Sequence, residues 1–267
     1  MKNTSTLGLF LAVIITLSVV SCNTSDPVFD APVPGKMQLL FDNVAGSADL
    51  KLNASTYQNA AGESFTVTKF NYFISNLRLR KEDGSEYVVP QNSSYFLIEE
   101  EKPASQTITL NNVPAGKYTG LTFLIGVDSL RSMADVSQRT GALDPGTNNG
   151  MYWDWNSGYI FMKLEGISAV APAAQNNTFF YHIGGFGRST VKINNLRTVT
   201  LSFRNDVVNV QMDATPALRI TTDALKIFNG PTQLSIAQHP SVMFDTFSTN
   251  VANNYVQMFS YDRVQAN

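Results

Sequence analysis

The apolar residues of this chain recur at every second position, a period that a strand satisfies and an amphipathic helix does not. Phe73, Ser75, Leu77 and Leu79 fall on one face of such a segment, with Arg78 and Arg80 on the other. The same alternation groups Leu121, Phe123, Ile125 and Val127. It sets Val199, Leu201 and Phe203 against Thr198, Thr200 and Arg204, and Val208, Val210 and Met212 against Asn209, Gln211 and Asp213. Strands with one apolar face suit antiparallel sheets that bury one side. Asp83-Gly84 suits a hairpin, and Pro114-Ala115-Gly116 supplies a fixed φ followed by a residue free to take φ > 0. Short strands and frequent turns predict an all-β fold, an antiparallel β-sandwich of Ig-like or Greek-key type. Two short helices are expected. One carries Leu130, Met133 and Ala134 after Asp128; the other carries Val251, Tyr255, Met258 and Phe259 behind a Ser248 or Thr249 cap.

Composition removes several function classes. With 43% hydrophobic and 15% charged residues, the chain can build a core. Lys+Arg 19 against Asp+Glu 21 leaves no basic field for phosphates, so nucleic acid is not an expected partner. A single Cys excludes a disulfide framework and any thiolate-rich zinc or iron–sulfur centre. That Cys lies at the end of an export signal: Lys2 is followed by an apolar run from Leu7 to Val20, too short for a membrane span, and Leu17 to Cys22 resembles a bacterial lipobox. Residues 1–21 are read as a lipoprotein signal peptide. Residues 22–35, with Pro27, Pro32, Pro34 and Gly35, are read as a lipid-modified Cys22 and its tether. Residues 36–267 are expected to form one domain, with a split near 168–177 as the alternative. The mature protein is expected on the periplasmic side or cell surface, anchored to the membrane, the outer one, through Cys22.

Chemistry concentrates in few places. Gly150 to Tyr159 holds both Trp; if extended, Trp153 and Trp155 share a face and Asp154 takes the other. Such a Trp is core payload or, with Tyr152, part of an exposed aromatic platform. The two histidines are His182, which alternates with Phe179, Tyr181 and Ile183, and His239 before Pro240. Two imidazoles near Met and Trp suit copper. No nucleophile elbow, phosphate loop or His-Glu-x-x-His helix is present, so an enzyme is not expected. Asp154 and Glu165 are conceivable as a glycosidase carboxylate pair. Asp128, Asp135 and Asp144 surround a loop and make calcium possible, without EF-hand spacing.

In order, these motifs resemble the MbnP-like copper-binding proteins, a family named for a methanobactin-associated periplasmic protein. Phe41-Asp42-Asn43 with Gly46 opens the match, and Tyr72 to Leu79 resembles the family's Tyr-x-Ile-Ser-Asn-x-x-Leu strand. Val113 to Tyr118, Ile125 to Asp128 and Gly141 to Pro145 follow. Then come Met151-x-Trp153-x-Trp155-x-x-Gly158-Tyr159, Leu164-Glu165-Gly166, Tyr181 to Gly185, and His239-Pro240, so the resemblance covers about residues 36–260. It implies an exported β-sandwich that binds copper beside a di-haem, peroxidase-like partner of the MbnH type. In relatives a Trp is oxidised to kynurenine, whose aniline nitrogen serves the metal together with His. By this resemblance Trp153 is the residue modified, with Trp155 as the fallback, and His182 and His239 are the ligands. Asp128 or Asp154 would orient an imidazole. Some relatives carry His where this chain has Trp155. The competing reading is a carbohydrate- or protein-binding adhesion module with its platform at Tyr152, Trp153 and Trp155.

Overall fold

Residues Gly35 to Ala45 bury every second side chain, with Met37, Leu39 and Phe41 at most 2% exposed, and this alternation makes the first strand. The computed structural model describes residues 33–147, 150–155, 158–188 and 191–266; the expected signal sequence, Cys22 and the tether as far as residue 32 lie outside the described residues. In chain order the strands begin with β1 (Gly35–Ala45), β2 (Ala48–Asp49), β3 (Thr56–Gln58), β4 (Ser64–Lys81), β5 (Glu86–Val88) and β6 (Tyr95–Glu99). Next come β7 (Thr107–Val113), β8 (Gly116–Ile125), β9 (Tyr152–Trp153), β10 (Gly158–Ile167), β11 (Thr178–Gly184) and β12 (Phe186–Arg188). The last are β13 (Val191–Asn194), β14 (Arg197–Ser202), β15 (Val208–Val210), β16 (Ala217–Asp223), β17 (Ser241–Val242) and β18 (Phe259–Gln265). Helices α1 (Ser129–Ser132) and α2 (Ser248–Tyr255) are short.

The architecture is the expected all-β sandwich. One sheet runs β18-β16-β1-β2, with β7 also on β1; the larger runs β14-β8-β4-β10-β11-β17, with shorter strands added. Apolar faces of the two sheets meet in one core, where Phe41 and Phe259 pack edge-on against Tyr72 and Phe123 at 5.0 to 6.3 Å between ring centroids. The Pro114–Gly116 turn carries the chain from β7 in one sheet to β8 in the other. Asp83-Gly84 closes the β4–β5 hairpin with Gly84 at φ +85°.

Several details depart from the alternation pattern. Two pairings, β1–β16 and β11–β17, are parallel, which strand periodicity cannot reveal. Asn76, at φ +54°, sits in a bulge where the β4–β8 register shifts between Ser75 and Arg78. The extra residue flips the parity of β4, so Leu77 and Leu79 face the sandwich core while Phe73 faces outward. Val127 follows Gly126, at φ +111°, and joins the outward cluster too. Met212 lies beyond β15 and is 62% exposed. Helix α1 forms where expected, capped by Asp128, which accepts from the Arg131 amide at 3.1 Å, yet Leu130 and Met133 are exposed. Neither Ser248 nor Thr249 caps α2: Ser248 is its first residue, Phe247 stands at the N-cap without a side-chain bond, and Asp245, before the helix, accepts from the Ser248 amide at 2.9 Å; Met258 lies in a following 3₁₀ turn and Phe259 begins β18.

The outward cluster matters for function. Residues 127–147 and 150–155 fold back over the outer face of the large sheet, where Val127, Leu143, Met151 and Trp153 cluster with Phe73, Tyr159 and Phe161. Arg139 holds this cover together, donating to the Tyr152 hydroxyl at 2.7 Å and the Ala134 carbonyl at 2.9 Å. Beyond the cover, the outer face of β10 and β11 is open.

Candidate functional site

Alternation in β10 and β11 divides their side chains cleanly. Met162, Leu164, Phe179, Tyr181 and Ile183 are fully buried in the sandwich core, so Lys163, Glu165, Phe180 and His182 point outward. Antiparallel register sets Lys163 opposite His182 and Glu165 opposite Phe180. Across that diagonal, His182 Nε2 lies 2.8 Å from Glu165 Oε1, with the two side chains 17% and 33% exposed. The Phe180 ring packs 5.3 Å from the imidazole.

A third strand completes the site. In the parallel β11–β17 ladder Phe180 pairs with Ser241 and Tyr181 with Val242, so continuing the register brings Met243 level with His182. Both line a pocket of about 450 Å³ together with Thr68, Glu165, Thr178 and Phe180. Glu63 anchors the segment leading into β17: its carboxylate accepts from Ser235 Oγ at 2.7 Å, the Ile236 amide at 2.6 Å and the Ala237 amide at 3.0 Å. Burial alone would raise the Glu63 pKa, but these bonds and one from Asn59 keep it below the ordinary carboxylate value.

The charges around the pocket are ordered. The hydrogen bond from His182 holds Glu165 below the ordinary carboxylate range against the effect of burial, and the charges of His182, Lys163 and Lys69 add to it. Burial pushes Lys163 down from the usual lysine value, and its ammonium donates to the Gly150 carbonyl at 2.6 Å, tying the cover to the pocket floor. Lys69, opposite Glu165 in the β4–β10 ladder, pairs with Glu101 at 3.2 Å.

The two Trp lie in the cover in unequal positions. Trp153 is 5% exposed and its Nε1 is buried without a hydrogen-bond partner. Trp155 is 66% exposed, and their ring centroids lie 5.5 Å apart at 45°. Phe244, the residue after Met243, packs 6.0 Å from Trp153. Gly184 lets the Trp153 ring approach the sheet; a Cβ there would lie 2.7 Å from that ring.

The MbnP family model matches residues 34–244, a span that holds both histidines, both Trp and Met243. The chain belongs to the MbnP family. Among solved structures, MbnP from Methylosinus trichosporium aligns with a TM-score of 0.52 at 15% identity, covering 86% of this chain and 98% of that one. At that identity the likeness shows the shared fold. No curated protein matches the chain.

Against this family background, some expected site residues converge and others do not. His182 and Met243 line one pocket, and Trp153 lies against Phe244, the residue after Met243, and against Gly184, two residues along β11 from His182. His239 lies apart: it precedes β17, level by register with Thr178 rather than His182, and stacks on Phe247 at 3.6 Å and 19°. Asp128 orients no imidazole, because it caps α1 and accepts from Gln91 Nε2 at 3.0 Å and from the Tyr95 hydroxyl. Asp154 is exposed in the turn after β9, so the carboxylate beside an imidazole is Glu165. The three-ring platform does not form either, since Trp153 is buried and Tyr152 is half-buried under Arg139, leaving Trp155. The loop aspartates serve their own turns: Asp135 accepts from the Ser137 amide at 2.9 Å and Asp144 from the Gly146 amide at 2.9 Å. Among the described residues no group of three or more His, Cys, Asp or Glu side chains is gathered as for a metal ion. Glu165 as the partner of His182, and Met243, escaped the sequence reading; outward parity was readable for Glu165, but the register that pairs it was not.

Proposed function

We propose that this MbnP-family protein is an exported copper-binding protein rather than an enzyme, and that its metal is held in the pocket of His182 and Met243. The carrying observation is the Glu165 carboxylate at 2.8 Å from His182 Nε2. A carboxylate on one ring nitrogen fixes the imidazole's orientation and raises the basicity of the other, the arrangement usual for metal-ligating His. Imidazole and thioether together suit copper, so these residues fit the metal in kind. Copper bound there would be stored or passed on. Trp153, whose ring lies against Phe244 and against Gly184 two residues from His182, is the residue we assign to oxidation by a di-haem partner of the MbnH type, giving a kynurenine that adds a nitrogen donor. Cys22 anchors the protein to the membrane, and calcium has no part in this reading.

The test is the copper-to-protein ratio, by elemental mass spectrometry, of the chain carrying Cys22→Ala, exposed to copper and desalted. Near-stoichiometric copper is expected, lost in His182→Ala, reduced in Met243→Leu and unchanged in His239→Ala. Equal copper in the parent and His182→Ala would end the assignment. Membrane attachment that persists in Cys22→Ala would end the anchor.

A further inference from the structure

Trp153 is sealed from bulky reagents. Its ring is wrapped by Gly184, Phe244 and the cover residues, and only 5% of the residue reaches solvent. Trp155 alone combines an easily oxidised ring, 66% exposure and ring contact with Trp153 at 5.5 Å. Indoles are among the side chains that give up an electron most readily, and electron exchange between rings in contact is fast compared with the chemistry that follows.

We propose that Trp155 is the electron relay through which Trp153 is oxidised, which deepens the reading above and rests on its assignment of Trp153 as the modified residue. A one-electron oxidant, such as a high-valent haem or an outer-sphere metal complex, is reduced at Trp155. The Trp155 indole N–H proton passes to water, leaving a neutral radical. An electron from Trp153 then fills Trp155 while water returns a proton to its nitrogen. Trp155 ends unchanged and Trp153 carries the deficit. Two turns remove two electrons from Trp153; a water oxygen bonds to its ring, two protons leave, and two molecules of oxidant have been reduced. The product is a hydroxyindole, a first stage toward ring opening.

The experiment uses the full chain with Cys22→Ala and photogenerated tris(bipyridine)ruthenium(III) as the oxidant, so neither copper nor a protein partner is required. Tandem mass spectrometry of the peptide containing both Trp locates the added oxygen. In the parent, oxygen accumulates on Trp153. In Trp155→Leu that yield falls by about tenfold or more, and Trp155→Tyr, whose phenol also exchanges an electron and a proton, restores most of it. An unchanged thermal midpoint in Trp155→Leu shows that the fold is kept, as its exposure leads one to expect. Oxidation of Trp153 at the parent rate in Trp155→Leu overturns the relay and leaves the modification site standing. Oxygen confined to Trp155 in the parent overturns both.

Discussion

The two faces of β10 and β11 share one backbone ladder and do opposite work. Inward, Leu164, Phe179, Tyr181 and Ile183 have no exposure and carry little chemistry beyond the Tyr181 hydroxyl, which lacks a hydrogen-bond partner. Outward, Lys163, Glu165 and His182 are polar; Glu165 and His182 are partly exposed and line a pocket, while Lys163 is buried beneath the cover. Stability and reactivity are thus separated by one residue of parity, and a rigid inner face fixes the outer groups without their own packing having to do so. The outer face is itself divided, sealed by the cover at the Trp153 end and open at the His182 end.

This division can be broken or sharpened by mutation. The largest effect belongs to the inner face: Phe179→Ala removes a ring that meets Phe65, Tyr181 and Phe228 at 5.6 to 6.2 Å. A loss of about 3–5 kcal/mol is expected from urea unfolding. His182→Ala should cost about 1 kcal/mol or less in the same assay. A comparable loss from both would erase the distinction between the faces. Gly184→Ala comes next, because its Cβ would meet the Tyr159 carbonyl at 2.3 Å as well as the Trp153 ring. A loss of about 1–3 kcal/mol is expected, with a change in Trp fluorescence that a remote substitution would not produce.

Smaller still is Glu165→Gln. It should weaken copper retention and lower the unfolding midpoint only slightly, since it keeps the shape of the side chain and removes the carboxylate's negative charge beside the imidazole. Its effect on stability depends on pH. The Glu165 carboxyl is held below its ordinary value of 4.5 by the His182 hydrogen bond first, then by neighbouring positive charge. A lowered folded-state pKa contributes stability that is complete above the unfolded value and is lost as pH falls through the folded one. The difference in midpoint between parent and Glu165→Gln should therefore be present at pH 4.5 and shrink below it. A difference that grows as pH falls below 4.5 would contradict the pairing. The smallest effect is expected from His239→Ala, which removes a ring stacked on Phe247 and should leave copper retention unchanged.

Much of the fold was readable because strand parity is a local property. Val199, Leu201 and Phe203 point inward as their alternation with Thr198 and Thr200 requires. In β4 the reading failed at Asn76, where one extra residue reverses every later side chain without leaving a mark in the apolar count; the signal was Asn itself, a residue that tolerates positive φ. At the site, the outward direction of His182 followed from Phe179, Tyr181 and Ile183. Its partners did not, because Glu165 arrives through an antiparallel diagonal and Met243 through a parallel ladder from far along the chain.

The sequence by itself determined the strand period, the lack of cysteines for a thiolate-rich centre, the capped start of α1 and the side of β11 on which His182 stands. These follow from the geometry of single elements and from composition. Only the tertiary structure decided that Glu165 rather than Asp128 or Asp154 holds His182, that Met243 joins it while His239 does not, and that Trp153 is buried beneath Trp155. Register, parallel pairing and the folding of the cover over the sheet depend on how distant segments close around a shared core, and a local period carries no information about that closure.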